Sequence, residues 1–86
     1  MSNYRVALSS SATRELERLP AKLIYRIVPH LERLATNPRP NGCKKLSGGD
    51  REWRIRVGDY RIIHEIDDSA RTVDVVRIRH RREVYN

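Results

Sequence analysis

The fold of this chain is decided by Trp53–Arg61, which reads WRIRVGDYR. Its apolar side chains alternate with arginines and therefore share one face of a β-strand: Trp53, Ile55 and Val57. Gly58-Asp59 is a turn signal, because glycine accepts positive φ and aspartate can bond its own backbone. The segment after the turn reads as a returning strand, with these residues on one face: Tyr60, Ile62, His64 and Ile66. We therefore predict a β-hairpin with one core face, on which His64 has a structural role, and one arginine-rich face.

The arginine-rich face of this hairpin carries Arg54, Arg56 and Arg61. The whole chain is basic, with 86 residues and a formal net charge of +7. Most of its cationic residues are arginine, whose planar fork matches phosphate oxygens. A polyanion is the natural partner of such a surface, and the arginines favour nucleic acid. A generally basic, solvated surface is the alternative interpretation.

The rest of the chain supplies a strand and two helices before the hairpin and one strand after it. Tyr4–Leu8 alternates like a strand, helical spacing follows as far as Leu19, and a second helix covers about Ala21–Ala35. Asn37–Gly49 is rich in proline and glycine and reads as a loop. In the last strand, Thr72–Arg79, valine and isoleucine occur at both odd and even positions, so they lie on both faces of the strand. This predicts that both faces are buried in the first half of the strand.

These elements predict a single α+β domain over residues 1–86. Its order is β-α-α-β-β-β, with a small antiparallel sheet and a two-helix hairpin packed on one face. The other face should bind RNA through basic residues from three parts of the chain: Lys44, Lys45, Arg54, Arg56, Arg77 and Arg79.

Composition argues against several classes of protein. Cys43 is the only cysteine, so we expect neither an internal disulfide nor a cysteine metal cluster, and a reducing cytoplasm fits. No apolar run approaches the ~18 residues of a membrane span, and the N-terminus lacks the apolar core of a signal peptide. We therefore predict no membrane, no metal and no small-molecule cofactor.

Beyond these patterns, the chain resembles the RelE/ParE superfamily of bacterial type II toxins, and the RelE branch most. The resemblance covers nearly the whole chain and rests on segments in a fixed order: KKLSGG, EWRIRVGDYRIIHEIDD and TVDVVRIRHRREVY, after SSSATRELERLP. It implies the RelE-like microbial RNase fold. It also implies an endoribonuclease that cuts mRNA in the A site of the small ribosomal subunit, without a metal, by attack of a 2′-hydroxyl on the adjacent phosphate.

The same resemblance implies the active-site residues. Matched by motif, Arg54 and Arg56 on the first hairpin strand, Arg61 in GDYR, Arg81 in HRR and Tyr85 in EVY fall on family active-site positions. Arginine suits the charge that develops on the phosphorane, because it stays charged and forks to two oxygens. A terminal tyrosine can stack on a base and hold the RNA in line for attack.

The general base is left open by the sequence. Some relatives carry lysines where this chain has Arg54 and Arg56, and arginine does not deprotonate in proteins. Four other residues are candidates: His80, Glu52, Tyr85 and Lys45. Neighbouring arginines favour the neutral form of His80, although strand parity turns it away from Arg79 and Arg81 and towards the core. We expect His80 to act as an acid or base only if a twist or a bulge at the strand end turns it towards the arginines.

Two other functions compete with the RNase. One is a ParE-like inhibitor of DNA gyrase on the same fold, and the other is a basic nucleic-acid-binding module without activity. A toxin of this family implies a cognate antitoxin. Acidic or amphipathic segments of that partner should lie across the helices and sheet edges and cover the arginine surface.

Overall fold

The computed structural model describes residues 3–48 and 51–84. Its elements follow one another along the chain as β1 (Arg5–Leu8), α1 (Ser10–Glu17), α2 (Ala21–Arg33), β2 (Lys44–Lys45), β3 (Glu52–Val57), β4 (Tyr60–Asp67), β5 (Thr72–His80) and α3 (Arg81–Val84). The predicted α+β order is therefore present, with a two-residue strand and a short C-terminal helix in addition. The strand β2 lies inside the segment that the sequence predicted to be only a loop.

The five strands form one sheet in the order β1-β5-β4-β3-β2. The β3–β4, β4–β5 and β2–β3 pairs are antiparallel, but β1 runs parallel to β5, with Arg5 opposite Thr72. The prediction of a purely antiparallel sheet was therefore wrong at this edge. Short turns dictate the direction of consecutive strands only, whereas β1 meets a strand from the far end of the chain.

The core lies between the helices and one face of the sheet. Ser9 caps α1, since its hydroxyl oxygen accepts from the Ala12 N–H at 3.0 Å. From α2 and its end, Ile27, Leu31 and Leu34 are buried against the sheet. The sheet side of the core is formed by the predicted face of the hairpin and by β5: Ile55, Val57, Ile62, Ile66, Val73, Val75 and Ile78.

A β-bulge at Val76 decides which side chains of β5 face the core. His64 pairs with Val75 while its neighbour Ile63 pairs with Arg77, so Val76 is the extra residue. Val75 and Ile78 can therefore both be buried, although they differ in parity. The apolar residues of both parities thus mark a bulge, not a strand covered on both faces. Beyond the bulge, Arg77 points away from the core.

The segment after α2 closes one end of the core. His64 is fully buried, and its ring Nε2 lies 2.9 Å from the Pro38 carbonyl oxygen. Burial lowers the pKa of His64, while the hydrogen bond to that carbonyl opposes the shift. Trp53 packs against the core on its predicted face, and the Arg39 guanidinium lies 5.0 Å from its ring centre. The sequence predicted a half-buried structural histidine on the core face; His64 is on that face but is fully buried.

Candidate active site

Three arginines lie side by side across three neighbouring strands. Arg56 on β3 is directly opposite Arg61 on β4, and Arg61 is directly opposite Arg79 on β5. The next row of the ladder contains Lys44, Arg54, Ile63 and Arg77. We call this surface, on the side of the sheet away from the helices, the basic face; its cationic residues are Lys44, Arg54, Arg56, Arg61, Arg77 and Arg79.

Arg61 is buried, with only 3% of its surface exposed. The sequence predicted instead that it would be displayed openly with Arg54 and Arg56. Directly opposed like charges destabilise a sheet, and a charged group loses hydration on burial. A row of arginines with a buried centre is thus a local arrangement that folding alone does not favour. Such arrangements are typical of sites for anionic ligands.

The row opens into a pocket at the hairpin tip, which we call the arginine pocket. Its volume is about 220 Å³, and it is lined by Arg56, Gly58, Asp59, Arg61 and Arg81. Arg81 is the first residue of α3, directly after the last strand. Its backbone N–H donates to the Asp59 carbonyl oxygen at 2.8 Å. This bond fixes the start of α3 against the hairpin turn, so Arg81 joins Arg56 and Arg61, which are 20 or more residues earlier in the chain.

The remaining predicted RNA-binding residues differ in their placement. Lys44 pairs with Arg54 and is on the basic face, whereas Lys45 pairs with Trp53 and so lies on the opposite face. The prediction for Lys45 is therefore wrong for this surface. Arg54 is half-buried, and its Nε atom is buried without an acceptor among the residues that the structure describes.

Arg77 and Arg79 contact a carboxylate that the sequence analysis did not single out. Glu15 of α1 accepts from Arg77 Nε at 3.2 Å and from Arg77 Nη2 at 3.1 Å through its Oε2. The same oxygen lies 4.0 Å from Arg79 Nε. Both arginines are on the predicted face, but they are engaged within the protein. Sequence patterns could not reveal this contact, since Glu15 and Arg77 are 62 residues apart.

His80 faces the other side of the sheet from the arginine pocket. It pairs with Tyr60, and the two rings meet edge to face with centres 5.3 Å apart. His80 and Tyr60 line a separate pocket of about 290 Å³ beneath α2. His80 Nδ1 also accepts from the Arg82 N–H at 3.2 Å. Neither a twist nor the bulge at Val76 turns His80 towards the arginines, since His80 is opposite Tyr60, so its predicted role lacks geometric support.

The other candidates for the general base are also distant or outside the described residues. Glu52 is at the opposite end of β3 from the pocket, four residues before Arg56, which is ~13 Å along the strand. Lys45 is opposite Trp53, near the same end of β3. Tyr85 lies outside the described residues. Asp59, which the sequence analysis used only as a turn residue, lines the arginine pocket. Its position two residues before Arg61 in the sequence could have indicated that it lies near the active-site arginines.

Within residues 3–48 and 51–84, no group of three or more His, Cys, Asp or Glu side chains could hold a metal ion. No helix in that part of the chain is long and apolar enough to cross a membrane. Cys43 is a free, half-buried thiol.

Comparison with known proteins identifies the family. The family model described as "ParE toxin of type II toxin-antitoxin system, parDE" matches residues 6–85. Toxin RelE of Mycobacterium tuberculosis is 32% identical over 83 residues, which cover 95% of this chain and 86% of that protein. The chain belongs to the RelE/ParE family of type II toxin–antitoxin toxins.

Solved structures agree with this assignment. The toxin–antitoxin complex RelBE2 from M. tuberculosis matches with a TM-score of 0.79 and 29% identity, over 91% of this chain and 98% of that one. The RelE–RelB complex from Pyrococcus horikoshii matches with a TM-score of 0.81 and 25% identity, over 91% and 94%. The predicted RelE-like α+β fold is thereby confirmed, with a mixed sheet.

Proposed function

We propose that this toxin is an endoribonuclease that cleaves mRNA at the arginine pocket and thereby inhibits translation. The observation that carries the proposal is the convergence of Arg56, buried Arg61 and Arg81 on one small pocket. A phosphate group offsets the mutual repulsion of these guanidiniums and accepts their forked hydrogen bonds. The pocket therefore suits a phosphodiester, and its guanidiniums can stabilise the extra negative charge of a phosphorane.

The reaction follows from these residues. The 2′-oxygen of a ribose attacks the adjacent phosphorus, the P–O5′ bond breaks, and a 2′,3′-cyclic phosphate and a free 5′-hydroxyl result. Arg61 and Arg81 stabilise the charge on the non-bridging oxygens, while Arg56 binds beside them. Arg61 is held by the sheet and Arg81 by its backbone bond to Asp59, so both are oriented before the substrate arrives.

The reaction also needs a proton acceptor for the 2′-hydroxyl and a donor for the 5′-oxygen. Asp59 is the one described lining residue of the pocket with a side chain that can accept a proton. We propose Asp59 as the acceptor. Tyr85, implied by the family resemblance, is proposed to stack on a base or to donate the proton. General acid–base groups of this kind typically contribute ~10²–10⁴-fold to a rate.

The proposed substrate is mRNA in the ribosomal A site, as the resemblance to the RelE branch implies. Single-stranded RNA can enter a shallow surface, whereas the narrow major groove of an RNA duplex is closed to side chains. The basic face is open along β3 and extends from Lys44 through Arg54 to Arg56. It can follow a phosphate backbone into the pocket.

A cognate antitoxin is the proposed protein partner, because the matched solved structures are toxin–antitoxin complexes. An apolar groove of about 410 Å³ lies beside the edge strand β1 and suits an amphipathic segment. Its lining comes from β1, α1, α2 and the turn after α2: Val6, Leu8, Leu16, Val28, Leu31, Glu32 and Ala35. Val28→Asp should weaken antitoxin binding while translation inhibition persists, since the groove is remote from the arginine pocket.

The test is to add purified protein to a reconstituted translation reaction and to map mRNA ends. Arg81→Ala should reduce cleavage by ~10²–10³-fold, the usual effect of removing one transition-state donor. Arg82→Ala is the matched control, because Arg82 is the exposed next residue and does not line the pocket. Equal loss in both variants, or full activity of a folded Arg81→Ala protein, would contradict the site. Intact mRNA with normal translation would favour the gyrase inhibitor, which a supercoiling assay then tests.

A further inference from the structure

The basic face is divided by a carboxylate that reaches it from the helical layer. Strand β1 ends at Leu8, opposite Val75, so the edge of β5 beyond that point has no neighbouring strand. Glu15 of α1 covers this edge, where its Oε1 accepts from the Ile78 N–H at 2.8 Å. Its Oε2 accepts twice from Arg77 and is 4.0 Å from Arg79. One carboxylate thus binds the backbone of β5 and two arginines of the basic face.

Glu15 occupies the position that a phosphate would take between these two arginines. Its side chain is only 19% exposed, and it is held by the Ile78 N–H as well as by the guanidiniums. An incoming phosphate would have to remove the carboxylate and leave that backbone donor without its acceptor. A tethered carboxylate is also always present at the site, whereas a phosphate must be drawn from solution.

The other half of the basic face contains Asp59, which lines the arginine pocket, but within the described residues no carboxylate there is paired with Lys44, Arg54, Arg56 or Arg81 as Glu15 is with Arg77. Among the residues that the structure describes, Lys44, Arg54, Arg56 and Arg81 take part in no ion pair within 4.0 Å. Their charges lie along β3 and at the arginine pocket. The difference between the two halves is therefore in the availability of the arginines and not in their number.

We infer that Glu15 is a built-in counter-anion that withholds Arg77 and Arg79 from RNA, so that single-stranded RNA binds along β3 into the arginine pocket. Glu15 is a positioning residue that sets the path of the substrate. The inference rests on the proposed function, since it concerns the RNA that this face binds. It differs from the expectation from the sequence, in which all the arginines of the face bind RNA alike.

The number of phosphates that a protein neutralises can be measured from the salt dependence of binding. For single strands, log K falls with log salt concentration with a slope whose magnitude is about 0.7 per neutralised phosphate. A 2′-O-methyl RNA oligonucleotide is the probe, because it lacks the attacking hydroxyl and separates binding from cleavage. Fluorescence anisotropy over a salt series gives the slope of log K against log salt. Arg54→Gln should reduce this slope by about 0.7, whereas Arg77→Gln should leave it unchanged.

Glu15→Gln completes the test, because its amide oxygen can still accept from the Ile78 N–H while the charge is lost. We expect tighter binding and a slope larger by about 0.7, as Arg77 becomes available. In that background Arg77→Gln should now lower the slope by about 0.7, although it has no effect on the native chain. This pair of variants measures the masking itself.

An equal decrease in slope for Arg77→Gln and Arg54→Gln in the native chain would overturn the inference, and so would an unchanged slope in folded Glu15→Gln. If Glu15→Gln does not fold, the comparison of Arg77→Gln with Arg54→Gln still decides the matter. If the expected slopes are found but mRNA is not cleaved in the translation reaction, the proposed RNase activity is refuted and the proposed RNA-binding path along β3 is supported. No measurable RNA binding by the native chain would refute both.

Discussion

Replacement of Arg61 by methionine should inactivate the toxin and stabilise its fold. Arg61 is 3% exposed and has an arginine directly opposite it on each side, Arg56 and Arg79. Opposed cross-strand pairs contribute ~0.2–1 kcal/mol each, so two like-charge pairs destabilise the sheet by roughly 0.4–2 kcal/mol. Methionine retains much of the aliphatic volume of arginine and needs no hydration. Exchange of buried charged groups for apolar ones is often neutral or stabilising.

The expected gain is on the order of 1 kcal/mol, which for a domain of this size is a rise in Tm of ~4–8 °C. Differential scanning calorimetry and urea unfolding measure it, and mapped mRNA ends measure the loss of cleavage, expected at ~10²–10³-fold. Ile62→Ala is the matched control. Ile62 is the next residue on β4, fully buried on the core face, and its truncation should cost ~2–5 kcal/mol.

A lower Tm for Arg61→Met would refute the reasoning, because Arg61 would then be part of what stabilises the sheet. Retained cleavage in a folded Arg61→Met protein would remove it from the active site. Only the combination of greater stability and lost activity shows that the arginine row is maintained for its ligand at the expense of the fold.

Three further predictions concern other residues. His64→Gln should flatten the pH dependence of the unfolding free energy between pH 7 and 5. Burial lowers the pKa of His64 in the folded protein, so the unfolded chain takes up a proton first as the pH falls. The native protein should therefore lose up to ~1.4 kcal/mol of stability for each pH unit below pH ~6.5. Glutamine keeps a donor to the Pro38 carbonyl without titrating, and parallel curves for the two proteins would count against this assignment. Trp53→Ala should lose about 3 kcal/mol in urea unfolding, the lower end of the range for buried rings, because Trp53 is only half-buried beneath Arg39; an unchanged Tm would exclude it from the core. Asp59→Asn should lower the cleavage rate by at least ~10-fold without weakening the binding of 2′-O-methyl RNA, because it removes a carboxylate from beside three arginines; an unaltered rate would leave Tyr85 as the proton acceptor to test.

Much of the fold followed from local patterns. Alternation in Trp53–Val57 identified the core face of the hairpin, and helical spacing identified the apolar side of α2. Arg56 and Arg61 were placed on one face because their positions on either side of a two-residue turn make them cross-strand neighbours. Each of these inferences depends on residues close in sequence, where geometry has a short and definite period.

The errors share a physical cause, which is dependence on contacts between distant segments. The bulge at Val76 lets Val75 and Ile78 both face the core, and the same apolar pattern was interpreted from sequence as a strand covered on both faces. The parallel pairing of β1 with β5 and the burial of Arg61 depend likewise on the assembled sheet.

Sequence alone thus determined the class of fold, the core face of the hairpin and the arginines of the candidate site. Tertiary structure decided which of those arginines are available. Glu15 meets Arg77 across 62 residues, and His80 lies beneath α2 instead of beside Arg81. Periodicity specifies the face of the sheet on which a side chain lies. The partner of that side chain depends on how the helices pack on the sheet, because the free energy of a charged group is set by neighbours that are distant in sequence.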